Sequence, residues 1–181
     1  MTHIRSATAA DVGTILRFVR ELAAFEREPD AVEATEPMLT AALFGERPAA
    51  EALIAETADG PLGFALFFHN FSTWTGRRGL YLEDLYVTPE ARGQGVGGAL
   101  LAHLAGVALD RGCARFEWSV LDWNADAIAF YRKVGAVGME GWTIQRMSGE
   151  ALVRLAGRQK GHRRTEPVPS DTTPRRGLGP N

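Results

Sequence analysis

Residues 81–98 read YLEDLYVTPEARGQGVGG, and our interpretation of the whole chain starts from this stretch. It opens with large apolar and aromatic residues typical of a strand, which Pro89 ends because proline cannot donate a ladder hydrogen bond. Four of the residues 93–98 are glycines, at positions 93, 95, 97 and 98, and apolar residues recur at helical spacing from Leu100 to Ala108. This order predicts a turn whose backbone N–H groups point outward at the positive end of a helix dipole. Such a turn is a seat for a phosphate or pyrophosphate.

Several kinds of glycine-rich loop fit this description in part. A P-loop needs a lysine and a hydroxyl residue at the helix start, where this chain has Gly98 and Ala99. Gly93, Gly95 and Gly98 do satisfy the spacing of a dinucleotide-binding fingerprint. However, no acidic residue ends the next predicted strand, 114–120, at the distance that this fingerprint requires, because Asp122 follows only after about 25 residues. A turn that merely packs a helix against a strand is the structural alternative.

The segment Arg92-Gly-Gln-Gly-Val-Gly97 resembles the acyl-CoA pyrophosphate loop of the GNAT superfamily of N-acetyltransferases. Further segments resemble the spermidine/spermine (diamine) acetyltransferase branch of that superfamily, and the similarity extends from about residue 3 to about residue 156. This branch also contains enzymes that act on other amines, such as thialysine. The segments that carry the resemblance are 21–26, 81–87, Trp123-Asn124, 130–136 and 140–142.

The pattern of elements predicts an α/β fold with a mixed, mostly antiparallel sheet and helices on both faces. The resemblance implies in addition that the strand before the loop, 79–87, and the next strand, 115–120, splay apart to admit the pantetheine arm. The other predicted strands are 3–7, 52–56, 62–69 and 140–147, and residues 71–79 are predicted as a loop. The first predicted helix begins at a Thr8–Asp11 capping box. The other predicted helices cover 35–45, 96–110, 127–134 and 148–156.

Acetyl-CoA is the expected co-substrate. The loop N–H groups from Gln94 to Gly98 are expected to hold its phosphates, with Arg92 as a further phosphate partner. The backbone of the preceding strand is expected to pair with the pantetheine amides and, by resemblance, to face the thioester oxygen. Asn124 matches a CoA-contacting asparagine of the family, although a helix N-cap explains it equally well. The expected acetyl-CoA residues are Leu85, Tyr86, Val87, Arg92, Gly93, Gln94, Gly95, Val96, Gly97, Gly98, Asn124 and Ala127.

Two residues are expected to carry the chemistry. Tyr131 matches the family's general acid, and a tyrosine can reprotonate a thiolate because its ordinary pKa of about 10 lies modestly above that of a thiol, about 8.5. Glu83 is the candidate for deprotonating the amine, directly or through water. The period of two of a strand places it on one face with Tyr81 and Leu85, and Asp84 on the other face in a structural role.

The amine site is expected to include further carboxylates. Glu26 and Glu140 match family positions at the polyamine, although solvated surface charge explains them equally well, and Glu83 is expected to bind the amine together with them. The chain departs from the family at Phe25, where the pattern has tyrosine, and at Asp126-Ala127, where it has Pro-Ser. These differences leave the identity of the amine open. His3, His69 and His103 lack the spacing of a metal site, so no metal is expected.

Composition limits the other classes of function. The chain has 181 residues and a net charge of −2, and its basic residues concentrate in 157–181. We expect one acetyltransferase domain, 1–156, with an acidic body suited to a cationic substrate, and a disordered, basic, proline-containing tail, 157–181. The lone Cys113 fits a reducing compartment, and no apolar run is long enough to span a membrane.

These features lead to a working hypothesis and two alternatives. The hypothesis is an acetyl-CoA-dependent N-acetyltransferase for a small amine, either a polyamine or a thialysine-like compound, acting in the cytoplasm. The resemblance implies a homodimer, and neither nucleic acid nor membrane is expected as a partner. The alternatives are an acetyltransferase for peptide or protein amines and a CoA-binding regulatory module without turnover.

Overall fold

A computed structural model describes residues 1–161 of the chain, with side chains as far as Arg158. The chain divides into two compact units, Met1–Val137 and the residues from Gly138 onward. The first unit contains five strands and four helices, and the second contains one helix, Gly149–Gly161. This helix continues past residue 156, so the first residues of the predicted disordered tail are helical. The rest of that tail, 162–181, lies outside the described residues.

The sheet has the mixed, mostly antiparallel character that the sequence predicts. Its strands lie in chain order, the first four antiparallel and the fifth parallel to the fourth. The strands are β1 (His3–Ser6), β2 (Glu51–Thr57), β3 (Gly60–Ser72), β4 (Arg77–Val87) and β5 (Phe116–Trp118). The helices are α1 (Val12–Phe25), α2 (Glu36–Phe44), α3 (Val96–Asp110), α4 (Ala125–Lys133) and α5 (Gly149–Gly161), with short 3-10 turns at Ala9–Asp11, Pro29–Ala31 and Pro89–Ala91.

Helices cover both faces of the sheet because successive strand residues point to opposite sides. In β2, Leu53 and Ala55 face the core formed with α3, whereas Ala52 and Ile54 face the core formed with α1 and α2. The α3 core also buries Phe67, Leu80, Leu82, Leu100 and Leu104, and the α1 core buries Ile15, Phe18, Leu43, Phe64 and Tyr86. Both cores therefore meet β4, the strand that leads into the glycine-rich loop.

Two sequence predictions about the strands are wrong. The loop predicted at 71–79 is shorter, because β3 continues to Ser72 and β4 begins at Arg77. The strand predicted at 140–147 does not form, and its residues have no regular secondary structure in the described structure. Gly141 has a positive φ of 86°, which breaks an extended run. The described residues of this unit also offer no second strand to pair with it.

Candidate functional site

A slot opens where β4 and β5 part. The two strands pair from Leu80 with Phe116 to Leu82 with Trp118, and β5 ends there while β4 continues to Val87. Beyond Leu82, the edge of β4 that faces away from β3 has no partner strand in residues 1–161. The backbone of Leu85, Tyr86 and Val87 lies along this free edge. An extended ligand with amide groups can add to such an edge in the manner of an extra strand.

The glycine-rich loop has the geometry of an anion seat. Gly93 and Gly95 adopt positive φ angles of 77° and 84°, and Gly95 is the N-cap of α3. The N–H of Ala99 donates to the carbonyl of Gly95, so the N–H groups of Val96, Gly97 and Gly98 precede the hydrogen-bonded ladder of α3. Together with the helix dipole, these groups favour a negatively charged ligand at the loop.

Gln94 is occupied within the loop itself. Its backbone N–H donates to the carbonyl of Ala91 at 3.4 Å, and its side-chain amide donates to the carbonyl of Glu90 at 2.7 Å. The N–H groups of Val96, Gly97 and Gly98 at the start of α3 therefore remain for a phosphate, and they begin two residues after Gln94, the first residue of the predicted set. Contact between Gln94 and the phosphates stays a prediction.

Arg92 connects the loop to the end of α1. Its Nε donates to the carbonyl of Val87 at 3.1 Å, and its guanidinium lies over the rings of Phe25, at 5.0 Å, and Tyr86, at 5.8 Å. Phe25 in turn packs against Trp123, with ring centroids 5.9 Å apart. The side chain thus supports the shape of the loop, and its predicted contact with phosphate is untested.

Asn124 is the N-cap of α4. The sequence analysis left this structural role open beside a CoA contact. Its side-chain oxygen accepts a hydrogen bond from the N–H of Ala127 at 3.2 Å. The cap uses the oxygen of the amide, and the NH₂ group is the end that can donate to a ligand. A CoA contact by Asn124 or Ala127 stays a prediction.

A β-bulge in β4 changes which carboxylates face the site. Leu66 of β3 pairs with Asp84 and the adjacent Phe67 pairs with Leu82, so Glu83 is an extra residue without a partner. Because the bulge resets the alternation, Asp84 shares the face of Tyr81, and Leu85 packs in the α3 core on the opposite face. The predicted grouping of Glu83 with Tyr81 and Leu85 on one face is therefore wrong. Glu83 itself is exposed.

Asp84 is the residue that sequence reasoning missed. It is half-buried, and this burial raises its pKa to about 6, with further contributions from the negative charges of Glu83 and Glu26. Three carboxylates from two elements, the bulge of β4 and the end of α1, thus lie near one another. The signal in the sequence was the pair of adjacent acids within an otherwise apolar strand, but strict alternation assigned the second acid to the wrong face.

We expect Asp84→Asn to stabilise the fold at pH 8. A carboxyl whose pKa rises from 3.8 to about 6 on folding opposes folding once it ionises. The difference corresponds to about 3 kcal/mol at most. Below the unfolded-state pKa, both states are protonated and the penalty is absent; it grows as the pH rises and is complete above the folded-state pKa. Denaturant unfolding of the wild type and the variant should therefore diverge from pH 4 to pH 8. An equal difference at both pH values would contradict the raised pKa.

Tyr131 projects from α4 toward the slot. Its ring packs against Trp118, at 5.1 Å between centroids, and against Phe130, at 5.4 Å, and it borders the α3 core, as Leu85 and Val87 also do. Burial raises the pKa of its hydroxyl, and the negative charge of Glu26 raises it further. The phenol therefore stays protonated across the neutral pH range, as a proton donor must.

Glu26 and Glu140 fall in different units. Glu26 follows the last residue of α1, and partial burial raises the pKa of its carboxyl. Its charge raises the pKa of both Asp84 and Tyr131. We therefore group it with Asp84 and Glu83 as one constellation of three carboxylates. Glu140 lies in the second unit, at an exposed position of the irregular segment before α5. Its predicted contact with the substrate is untested.

Comparisons with known proteins agree with this geometry. Residues 16–136 match the family model described as the acetyltransferase (GNAT) family. A thialysine N-epsilon-acetyltransferase of Sus scrofa is 45% identical over 166 residues, which cover 86% of this chain and 97% of that protein. The human spermidine/spermine N(1)-acetyltransferase-like protein 1 is 39% identical, over 85% of this chain and 24% of that protein. An integron cassette protein of V. cholerae has a similar structure, with a TM-score of 0.73 and 28% identity over 86% of this chain and 97% of that one.

Proposed function

The chain belongs to the GNAT family of acetyltransferases and is an N-acetyltransferase of its spermidine/spermine-like branch; from this we propose that its acceptor is a small cation of the thialysine or polyamine type. The constellation of Asp84, Glu83 and Glu26 beside the slot is the observation that supports the proposal. Clustered carboxylates attract a small cation from solution and hold its amine near the point where β4 and β5 part.

The residues around the loop fit acetyl-CoA as the acyl donor. When bound, acetyl-CoA supplies a thioester whose carbonyl carbon an amine can attack. The N–H groups of Val96, Gly97 and Gly98 would hold its phosphates, and the free edge of β4 at Leu85 to Val87 would pair with the pantetheine amides. A backbone N–H on the same edge would stabilise the negative charge that develops on the thioester oxygen.

The carboxylates of the bulge would prepare the amine. An alkyl amine with a pKa near 10 enters as the ammonium form and must lose a proton before its nitrogen can attack. Asp84 is half-buried and ionised above its pKa of about 6, so at neutral pH it can hold the ammonium and accept a proton, directly or through water. Glu83 lies next to it on the exposed side of the bulge and shares this role in our proposal.

Tyr131 would complete the reaction on the opposite side of the slot. The new C–N bond forms as the C–S bond breaks, and the sulfur leaves as a thiolate that needs a proton. The hydroxyl of Tyr131 donates that proton, and the tyrosine recovers one from solvent after the product leaves. The family resemblance and the packing of the ring against Trp118, the last residue of β5, support this role.

An amine panel with acetyl-CoA tests the function. Thialysine, lysine, ornithine, spermidine, a peptide with a lysine side chain and a neutral primary amine are compared by release of free CoA and detection of the N-acetyl product. We expect turnover with the small cations at kcat/KM values at least about tenfold above those for the peptide and the neutral amine, since a charged hydrogen bond contributes roughly 1.5–3 kcal/mol. Turnover of the peptide alone would support the protein acetyltransferase, and no turnover with any amine would support the regulatory module.

Variants of the two bulge carboxylates separate their roles. We expect Asp84→Asn to raise the KM for the amine and to lower kcat, with acetyl-CoA affinity within about threefold of the wild type, a change below about 1 kcal/mol. The wild-type kcat/KM should fall as the pH drops through about 6, where Asp84 takes up its proton, and the variant should lose this dependence.

Glu83→Gln is the matched isosteric change at the exposed residue beside it. It should reduce amine turnover less than Asp84→Asn if Asp84 accepts the proton, and more if Glu83 does. Unchanged amine kinetics in both folded variants would remove the bulge from the amine site.

A further inference from the structure

We propose that Phe25 is a positioning residue that joins the acetyl-CoA loop to the amine site, so that a bound donor fixes the end of α1 at the place where the acceptor binds. This inference rests on the proposed function and concerns how the two halves of the same site are coupled. Its consequence is that the donor and the amine bind cooperatively, and that the cooperativity depends on the aromatic ring at position 25.

Phe25 is the last residue of α1, and its ring meets groups from two other parts of the chain. The guanidinium of Arg92 lies 5.0 Å from the centroid of the ring. The ring of Trp123 packs at 5.9 Å between centroids, with 46° between the two planes. Phe25 is 40% exposed, so contacts at its ring, rather than enclosure in a core, set its position.

Arg92 connects this ring to the donor seat. It directly precedes the glycine-rich turn of the loop, and its Nε donates to the carbonyl of Val87 at 3.1 Å. Val87 ends β4, the strand whose free edge would pair with the pantetheine amides. A planar guanidinium can stack its face on a ring while its N–H edge donates to an acceptor. The side chain of Arg92 therefore fixes the loop, the end of β4 and Phe25 relative to one another.

Trp123 connects the same ring to the helix of the general acid. It directly precedes Asn124, the N-cap of α4, and α4 carries Tyr131 roughly two turns further on. A helix is rigid over this length because its hydrogen bonds are internal, so the position of its first turn determines that of Tyr131. Phe25 thus lies where the donor loop, α1 and the start of α4 meet.

Glu26 depends on the position of this ring because it follows Phe25 directly. The pKa of Asp84 is raised by burial, by the charge of Glu83 and by that of Glu26. The pKa of Tyr131 is raised by burial and by the charge of Glu26. Glu26 therefore acts on both groups to which the mechanism assigns a proton transfer. A displacement of the end of α1 would change its distance from both.

These contacts give a physical reason for cooperativity. A bound donor orders the loop and the edge of β4, and Arg92 extends that order to Phe25 and Glu26. An amine that binds afterwards does not have to order them again. By linkage, the amine must strengthen donor binding by the same factor. A cation–π contact at a partly exposed site supports a factor of about two to five.

Calorimetric titration of the full chain with CoA tests the coupling. CoA has no acetyl group to transfer, so its complex with an amine does not turn over. The titration is made without amine and at saturating concentration of the panel amine with the highest kcat/KM, which is thialysine in our proposal. For the wild type we expect the amine to lower the Kd of CoA about two- to fivefold. Phe25→Leu should reduce this effect below about 1.5-fold, and Phe25→Tyr, which keeps the ring, should retain it.

The pH profile is a readout that a merely structural role would not move. In Phe25→Leu, Glu26 is no longer held near Asp84, so the pKa of Asp84 should fall from about 6 toward its ordinary value. The acidic limb of kcat/KM for the amine should then move to lower pH, whereas a general loss of folded enzyme would lower the rate without moving the limb. Phe71→Leu is the matched control at an exposed phenylalanine of β3, and it should change neither the coupling nor the profile.

A double-mutant cycle tests whether Phe25 acts through Arg92. Phe25→Leu alone should raise the KM for the amine about two- to fivefold, the effect of one cation–π contact. Added to Arg92→Lys, which keeps the charge but lacks the planar group, it should raise that KM by less than about 1.5-fold. Equal effects of Phe25→Leu in both backgrounds would contradict the link.

The remaining outcomes separate this inference from the proposed function. Coupling that persists in Phe25→Leu, or that is lost equally in Phe25→Tyr, would overturn the role of the ring. A wild type that acetylates the amine but binds CoA equally well with and without it would refute the inference and leave the proposed function intact. A wild type that acetylates no amine of the panel would contradict both.

Discussion

Tyr131→Phe is expected to lower kcat by roughly 10²–10⁴, the usual range for loss of a general acid. The substitution removes only the hydroxyl, so the ring keeps its packing against Trp118 and Phe130. Acetyl-CoA affinity should therefore stay close to that of the wild type, because the change affects the leaving thiolate and not the bound donor. Single-turnover acetylation of the amine, with enzyme in excess, measures the chemical step without product release.

Tyr81→Phe is the matched control for this substitution. Tyr81 is also half-buried and packs its ring on Phe68, and its hydroxyl is hydrogen-bonded to Ser119 at 2.8 Å. We expect it to lose less than about fivefold in the single-turnover rate, because its hydroxyl has no place in the proton transfer. A similarly small loss for Tyr131→Phe would show that Tyr131 is not the acid.

Gly97→Asp should weaken acetyl-CoA binding by at least about 100-fold, a difference near 2.7 kcal/mol. Gly97 lies in the first turn of α3, and a Cβ at this position would meet only Val87 and Phe130, at ordinary contact distances of 3.8 and 3.9 Å. The variant should therefore fold. The loss comes from a carboxylate placed where the N–H groups of Val96 to Gly98 would hold phosphate.

Gly97→Asn provides the comparison, since asparagine has the shape of aspartate without its charge. Calorimetric titration of both variants with acetyl-CoA separates charge repulsion from bulk. We expect the asparagine variant to bind at least about tenfold more tightly than the aspartate variant at low salt, and the gap to narrow as the salt concentration rises. Equal affinities for the two variants would argue that the loop does not hold an anion.

The loop and the helix after it were accessible from sequence because each signal is local. Glycines at 93 and 95 adopt the positive φ angles that other residues avoid, and the apolar residues of 96–110 follow the helical period. The parting of β4 and β5 was expected from the family resemblance alone. It appears in the structure as pairing that stops after Leu82 and Trp118.

The face of β4 on which Asp84 lies could not be predicted from the sequence in the same way. A bulge is a shift in the register between two strands, and here the register shifts between Leu66 and Phe67 of β3. The sequence of neither strand alone predicts such a shift. Strict alternation therefore gave the wrong face to Asp84.

The strand predicted at 140–147 failed for a third reason. Its residues include Trp142, Ile144 and Met147, whose side chains suit a strand, but a strand also needs a partner. The sequence of this segment does not show whether a partner strand is present, and the described residues of the second unit contain no other strand. Intrinsic preference thus predicted α3, where the hydrogen bonds are internal, better than it predicted an edge strand.

The position of the acetyl group in the product tests the central claim most directly. Wild-type enzyme is incubated with acetyl-CoA and thialysine, free CoA is quantified, and the product is mapped by tandem mass spectrometry and NMR. The account predicts one CoA released for each thialysine consumed, with the acetyl group on the side-chain nitrogen, because that end reaches Asp84 and Tyr131. Acetylation of the α-nitrogen, or CoA release without an acetylated amine, would contradict it.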